Sequence, residues 1–348
     1  MRVSAERLHG TIDCAASRVG PGATERPPET SHEERTLAAA LLALAAATAH
    51  AQAPDNTLRI VTGFAPGGAT DRVARIVAEK LQAKLGMTVL VENRTGAGGW
   101  LAAQQVKAAP PGQHMLMVAN PAVMVVAPLV FKDNGYDPER DFVPVSHVND
   151  YDFAVTVAGA VPVRELSHLV AWLRANPDQA NFGVPATGSL PHFVALMLAE
   201  RAGVKAQVVG YRGSAPLITD LLGGQVPVSI DTLETVLPQH EAGKVRILAS
   251  SGAARNVISP KVPTFREAGL PLVATGWNAF FAPATMPAAA VQRYATAITE
   301  VMKDADTQRK FLAAQMSPVV STQAQTAAML KAYRAQWAPV VQKSGYQP

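Results

Sequence analysis

Two short stretches carry the residue types and spacing that could hold an anion. In Phe64-Ala-Pro-Gly-Gly-Ala-Thr-Asp71, Gly67 and Gly68 follow Ala65 and Pro66 and stand just ahead of an apolar run with helical spacing. Glycines there let backbone N–H groups approach a negative charge closely, and the dipole of the following helix favours that charge. The same pair is equally compatible with a tight turn that needs glycine for its backbone angles. Pro185-Ala-Thr-Gly-Ser-Leu-Pro191 offers a second such loop, with Ala186, Thr187, Gly188 and Ser189 at another helix start. Ser189 is also a residue type that caps helices, and the two roles can coexist. Asp71 would repel a carboxylate, so its expected place is the first turn of its helix, where an acid is favoured. No arginine falls in either loop. Recognition would therefore rest on dipoles, the hydroxyls of Thr187 and Ser189, and bridging water instead of a bidentate salt bridge.

Other chemistries are poorly supported. His192 lies one turn inside the second helix, and a lone histidine there reads first as structural. Pairing it with Ser189 as a hydrolase finds no Gly-x-Ser-x-Gly elbow. Gly96-Ala-Gly-Gly99 is close to a dinucleotide fingerprint, but Leu101 stands where the third glycine belongs and no acid follows about 20 residues on. His-Glu occurs twice without the second histidine of a zinc site, and neither a phosphate-loop nor a calcium-loop pattern is present. With one cysteine, Cys14, no disulfide framework or cysteine-based metal site is possible. The expectation is no metal, no cofactor and no catalysis. Asp231 follows an apolar strand; an ammonium partner would suit it, as would simple solvation at the strand end. Asn120 ends another strand in a polar loop. The net charge of +4 and pI near 9.2 come from scattered Lys and Arg. No basic cluster with interleaved aromatics appears, so nucleic acid is not an expected partner.

The elements that must position these loops alternate in type. Leu58–Thr62 and Thr88–Asn93 are β-rich runs bounded by glycine, and between them Val73, Ile76, Val77, Leu81 and Leu85 recur at helical spacing. Strand, glycine loop and helix, repeated, demand right-handed crossovers and a parallel sheet, with the loops at the carboxyl ends of strands where open α/β sheets bind ligands. Met115–Val118, Phe142–Val148 and Phe153–Val157 read as three further strands. A second unit of the same style fills roughly 155–275: strands at Asn181–Val184, Gln207–Gly210, Val226–Ile230 and Ile247–Ser250, with helices from Ser167, from His192 to Ala202, and from the Tyr211–Pro216 loop to Leu222. The tail from Pro287 is helical, its last helix running from Thr322 to Val341. Two such α/β units predict two lobes with a cleft between them. At 348 residues, 48% of them hydrophobic, the chain has material for two cores.

The first 53 residues stand apart. Thr36–Ala47 is rich in alanine and leucine and precedes Ala49-His-Ala51 and Ala51-Gln-Ala53, two small-x-small cleavage candidates. This is the pattern of a secretory signal peptide, too short for a permanent span, so the expected location is the periplasm. Residues 1–30 precede the expected basic start of that signal near Arg35 and read either as a start-site artefact or as part of a genuine but unusually long leader.

Five ordered motifs carry a family resemblance: Phe64–Asp71, Val91-Glu-Asn-Arg-Thr-Gly-Ala-Gly-Gly99, Gly188–His192, Tyr211-Arg-Gly-Ser-Ala-Pro216 and Asp220-Leu-Leu-Gly-Gly-Gln-Val226. Together they resemble the tripartite tricarboxylate-type extracytoplasmic solute receptors, also called the Bug family. The chain departs from the family pattern at Pro111-Gly-Gln-His114, where Asp-Gly-Tyr-Thr is usual, and at Thr95, where proline is usual. The resemblance implies an α/β fold of the periplasmic binding protein type II topology, with lobe one at 54–153 plus 276–348 and lobe two at 154–275. It implies capture of a small organic carboxylate, such as a dicarboxylate, amino acid or aromatic acid, for a membrane transporter or a sensor kinase, by a monomer. The site expected from it comprises Phe64, Ala65, Pro66, Gly67, Gly68, Asn120, Ala186, Thr187, Gly188, Ser189, His192 and Asp231. The competing reading is a periplasmic hydrolase or transferase on the same scaffold, since fold does not fix function.

Overall fold

Strand β1 (Thr57–Thr62) buries Leu58, Ile60 and Val61 completely, as a β-branched strand covered on both faces must. The computed structural model describes residues 56–346 except Lys132; the expected leader, Cys14 included, lies outside the described residues. After β1 come α1 (Ala69–Leu85), β2 (Thr88–Asn93), α2 (Trp100–Lys107) and β3 (Met115–Ala119). Val73, Ala74, Val77, Ala78 and Leu81 form the buried stripe of α1, and Gly86 ends it in the left-handed conformation, its N–H donating to the Gln82 carbonyl. β1 pairs in parallel with both β2 and β3, as the alternation predicts.

A π-helical turn (Ala122–Val126) and α3 (Ala127–Val130) lead into β4 (Phe142–Ala158). Here the structure differs from the reading of two strands. Asn149, Asp150 and Asp152 look like a break in sequence, yet all three remain in the ladder opposite Asn278, Trp277 and Thr275. Two register shifts absorb the irregularity, so β4 is one continuous 17-residue strand. The remaining elements are α4 (Leu166–Ala175), β5 (Asn181–Val184), α5 (Leu190–Ala202), β6 (Gln207–Gly210), α6 (Ser214–Leu222), β7 (Val228–Thr232), α7 (Leu233–Glu241) and β8 (Val245–Ser250). Then follow β9 (Thr275–Pro283), α8 (Ala288–Lys303), α9 (Ala305–Ala313), β10 (Ser317–Pro318) and α10 (Gln323–Lys343). Thr322 caps α10 in a reciprocal pair with Gln325.

The strands run in the order β2-β1-β3-β9-β4-β7-β5-β6, with β8 and β10 also against β4. The wholly parallel sheet expected from the alternation is not found. β5, β6 and β7 are parallel to one another, but the β3–β9, β9–β4 and β4–β7 pairs are antiparallel. The reason is β4 itself, which serves both halves: its residues up to Asp152 pair with β9, and from Phe153 onward they pair with β7 and β8. The change of partner falls between Asp152 and Phe153. The apolar interior runs without a break across it, from Val61 and Met117 to Phe182 and Phe193.

Candidate ligand-binding cleft

The first loop is shaped by its backbone. Gly67 has φ +80°, Gly68 an extended φ of −68°, and the Gly68 N–H closes the turn onto the Ala65 carbonyl at 3.1 Å. Asp71, 1% exposed, pins the turn from the first turn of α1. It accepts the Gly67 N–H at 2.8 Å, the Asn93 amide at 2.8 Å and the Arg75 guanidinium at 3.0 Å. Burial works against its charge, but the hydrogen bonds from Arg75, Asn93 and Gly67 outweigh it and hold the carboxyl below the usual carboxylate range. The second glycine cluster supports this loop from beneath. A Cβ on Gly63 would lie 2.4 Å from the Gly99 backbone, and Gly99 in turn sits under the Phe64 ring.

The second loop precedes α5. The Ser189 hydroxyl donates to the Ala186 carbonyl at 2.7 Å, and the Gly188 N–H donates to Nδ1 of His192 at 2.8 Å. Both residues are committed locally and do not form a Ser–His pair. His192 stacks on Phe193 and meets the Tyr346 ring edge-on; burial lowers its pKa. Thr187 presses its methyl toward Gly210, where a Cβ would meet it at 2.4 Å.

Both loops face one cavity of about 550 Å³. Four helices start at its wall: α1 after Gly68, α5 after Ser189, α6 after Gly213 and α7 after Thr232. None of the four carries a side-chain cap. Uncapped first-turn N–H groups and helix dipoles therefore converge on the same space, an arrangement suited to an anion. Of the expected site residues, Phe64, Ala65, Gly68, Asn120, Ala186, Ser189 and Asp231 line the cavity. Pro66 and Gly67 form the exposed outer turn, and Thr187, Gly188 and His192 build the back of the second loop, away from the lining. Among the described residues, no cluster of three or more His, Cys, Asp or Glu is placed to hold a metal ion, and no helix is long and apolar enough to cross a membrane.

A model of the tripartite tricarboxylate transporter family receptor matches residues 73–346. The chain belongs to this receptor family. Its relatives include a UPF0065 protein of Bordetella bronchiseptica, 34% identical over 313 residues, which cover 90% of this chain and 93% of that one. Among solved structures, R. palustris Rpa4515 with adipate is 29% identical with a TM-score of 0.76, over 84% of this chain and 98% of the other. MatC (Rpa3494) from Rhodopseudomonas palustris with bound malate is 28% identical with a TM-score of 0.71, over 82% and 98%. The α/β fold is that of periplasmic binding proteins, and the family is one of solute receptors, not of enzymes.

Several residues of this receptor's cleft escaped the sequence reading. Asn278 of β9 accepts the Thr70 hydroxyl at 2.9 Å and donates to Asn149 at 3.0 Å, fixing the start of α1. Tyr151 of β4 lies over Gly276, where a Cβ would fall 2.0 Å from the ring. Gly276→Ala should therefore drive Tyr151 into the cavity and weaken ligand binding by about tenfold or more. Titration calorimetry on this variant checks that; unchanged affinity would mean the ring is not part of the binding wall. Glu234 and Thr235 come from α7, whose signal was Thr232 followed by Leu233, Val236 and Leu237 at helical spacing.

Two lining acids are unusual. Burial pushes Asp231 up to about 6, eased by Ser214 and the Thr232 N–H. Burial pushes Glu234 up to about 7; Asp231 adds to this, while its own N–H, Arg72 and Thr232 oppose it. A folded pKa above the unfolded value means the folded state holds the extra proton between about pH 4 and 7. The associated stability is present below pH 4 and lost as pH rises through 6 to 7. The ligand-free receptor should thus melt lower at pH 8 than at pH 5. Glu234→Gln should recover about 3 kcal/mol at pH 8 and almost nothing at pH 4. Thermal melts of both proteins across that range check it; an unchanged gap between them would refute the assignment.

Proposed function

We propose that this receptor captures a small organic carboxylate in the periplasm and presents it to membrane transporter subunits or a sensor. The observation that supports this most is the convergence of four uncapped helix starts on one cavity lined from both loops. The ligand carboxylate lies between Gly68 and Ser189, taking first-turn N–H groups of α1 and α5 in place of its hydration shell. The halves of the molecule on either side of the Asp152–Phe153 change of partner act as jaws that close on it. Adipate and malate in the two R. palustris proteins support a carboxylate as the ligand class. A leader of secretory pattern supports the periplasm.

The test is a thermal-shift screen of the protein against mono- and dicarboxylates, amino acids and aromatic acids, followed by titration calorimetry of the hits. One-to-one binding without turnover is expected, with a rise of about 2.7 kcal/mol in stability at a hundredfold excess over Kd. Failure of every carboxylate to bind would refute the reading.

A further inference from the structure

We infer that Asp231 and Glu234 make the cleft select a ligand carrying an ammonium group as well as a carboxylate, so that an amino-carboxylate is held in preference to a plain dicarboxylate or a hydroxy acid. This rests on the carboxylate reading above and narrows its ligand class.

Asp231 stands at the carboxyl end of β7 and Glu234 in the first turn of α7, and both line the cavity. Asp231 is 1% exposed, and only half of its carboxylate is satisfied. Oδ1 accepts the Thr232 N–H at 2.7 Å; the nearby Ser214 hydroxyl eases the charge but makes no hydrogen bond to Oδ2, which is buried without a partner. A buried carboxylate oxygen left unpaired costs free energy that a donor entering the cavity recovers. Among the described residues, no lysine, arginine or histidine lines the cavity to supply that donor.

The charges around this wall decide what kind of donor fits. Glu234 feels Asp231 of β7 and Arg72 of α1, and it acts in turn on the Tyr151 hydroxyl of β4. Arg72 is half-buried and its Nε makes no hydrogen bond. With both acids ionised, two carboxylates against one guanidinium leave the wall short of one positive charge. An ammonium group supplies that charge and three donors, enough for Asp231 Oδ2 and Glu234 together. A hydroxyl supplies one donor and no charge. The second carboxylate of a dicarboxylate would face like charge beside two largely buried acids, where such contacts cost most. The four helix starts then divide the work: α1 and α5 hold the ligand carboxylate, while α6 and α7 partly offset the two acids beside them.

A second consequence concerns protons. A bound ammonium favours the ionised form of both acids, so binding near neutral pH should expel protons from Asp231 and Glu234. A purely structural role for these acids would give no such release.

The deciding experiment titrates the protein at pH 7 with matched probes: aspartate, malate and succinate; glutamate and glutarate; 6-aminohexanoate and adipate. Calorimetry runs in two buffers of different ionisation enthalpy, on the parent, Glu234→Gln and Asp231→Asn. The expected result is one amino-carboxylate bound about tenfold or more tighter than its matched partners, with proton release. That preference should shrink about tenfold in Glu234→Gln, whose side chain keeps its volume. Asp231→Asn should move the preference the same way, and Glu234→Gln decides alone if Asp231→Asn does not fold. If a dicarboxylate or malate binds as tightly as its amino counterpart, or the ratio survives in Glu234→Gln, this inference falls while the carboxylate reading stands. If the wider screen finds no carboxylate ligand at all, the carboxylate reading falls and takes this inference with it.

Discussion

Gly68→Val should lose carboxylate binding by about 100-fold or more while the protein stays folded. Gly68 lines the cavity at the start of α1, so a valine side chain occupies the space in which the carboxylate meets the first-turn N–H groups. Its φ of −68° and ψ of 165° are ordinary extended values, open to valine without backbone strain. The one close neighbour of an added Cβ is the Ala65 carbonyl oxygen at 3.2 Å, which needs a shift of only a few tenths of an ångström. The loss is therefore in affinity and only slightly in stability. Hydrogen bonds to a charged group contribute about 1.5–3 kcal/mol each, and displacing two of them accounts for the expected fold-change. Calorimetry gives the affinity and a thermal melt gives the stability. Parent-like affinity in a folded Gly68→Val protein would place the carboxylate elsewhere.

Asp71→Ala is expected to do the reverse first, costing stability and then function. The buried carboxylate accepts from Gly67, Asn93 and Arg75, so its removal leaves the Gly67 N–H without its partner and frees the turn. The expected loss is about 3 kcal/mol, or a fall in Tm on the order of 5 °C. Binding weakens as well, because Asn93 also donates to the Phe64 carbonyl at 2.9 Å and holds the loop by its other end. The pH dependence separates this from a simple packing defect. The Asp71 carboxyl is held below its ordinary value, so its contribution is full above about pH 4 and fades as pH falls through the folded value. The parent and Asp71→Ala should converge in stability under strongly acidic conditions. Asp71→Asn, which keeps one acceptor, should fall between them at pH 7. A constant gap down to about pH 2 would show that the charge of Asp71 contributes nothing.

Much of this fold was legible because its signals are local. The apolar period of α1, the glycine that ends it and the β-branched runs of β1 and β2 state their structure without help from distant residues. β4 was harder. Asn149 and Asp152 are polar within a strand, and only their pairing with β9, well over 100 residues away, explains why the strand continues. The mixed direction of the sheet has the same origin, since a strand shared by two halves leaves no mark on its own sequence. In the cleft, loop positions were readable but side-chain direction was not. Ser189 faces the cavity while Thr187 and His192, two and three residues away, turn to its back, where Gly210, Phe193 and Tyr346 receive them. Glu234 was missed because α7 is short, with Pro238 inside it.

Hydrogen exchange with and without a saturating carboxylate ligand tests the central claim most directly, because it reads backbone N–H groups on both loops at once. With the ligand bound, peptides covering Phe64–Arg72 and Ala186–Phe193 should both slow in exchange, with the largest change at the first-turn amides of α1 and α5. Protection confined to one loop, or appearing at neither while ligand is bound, would contradict a carboxylate held between two helix starts.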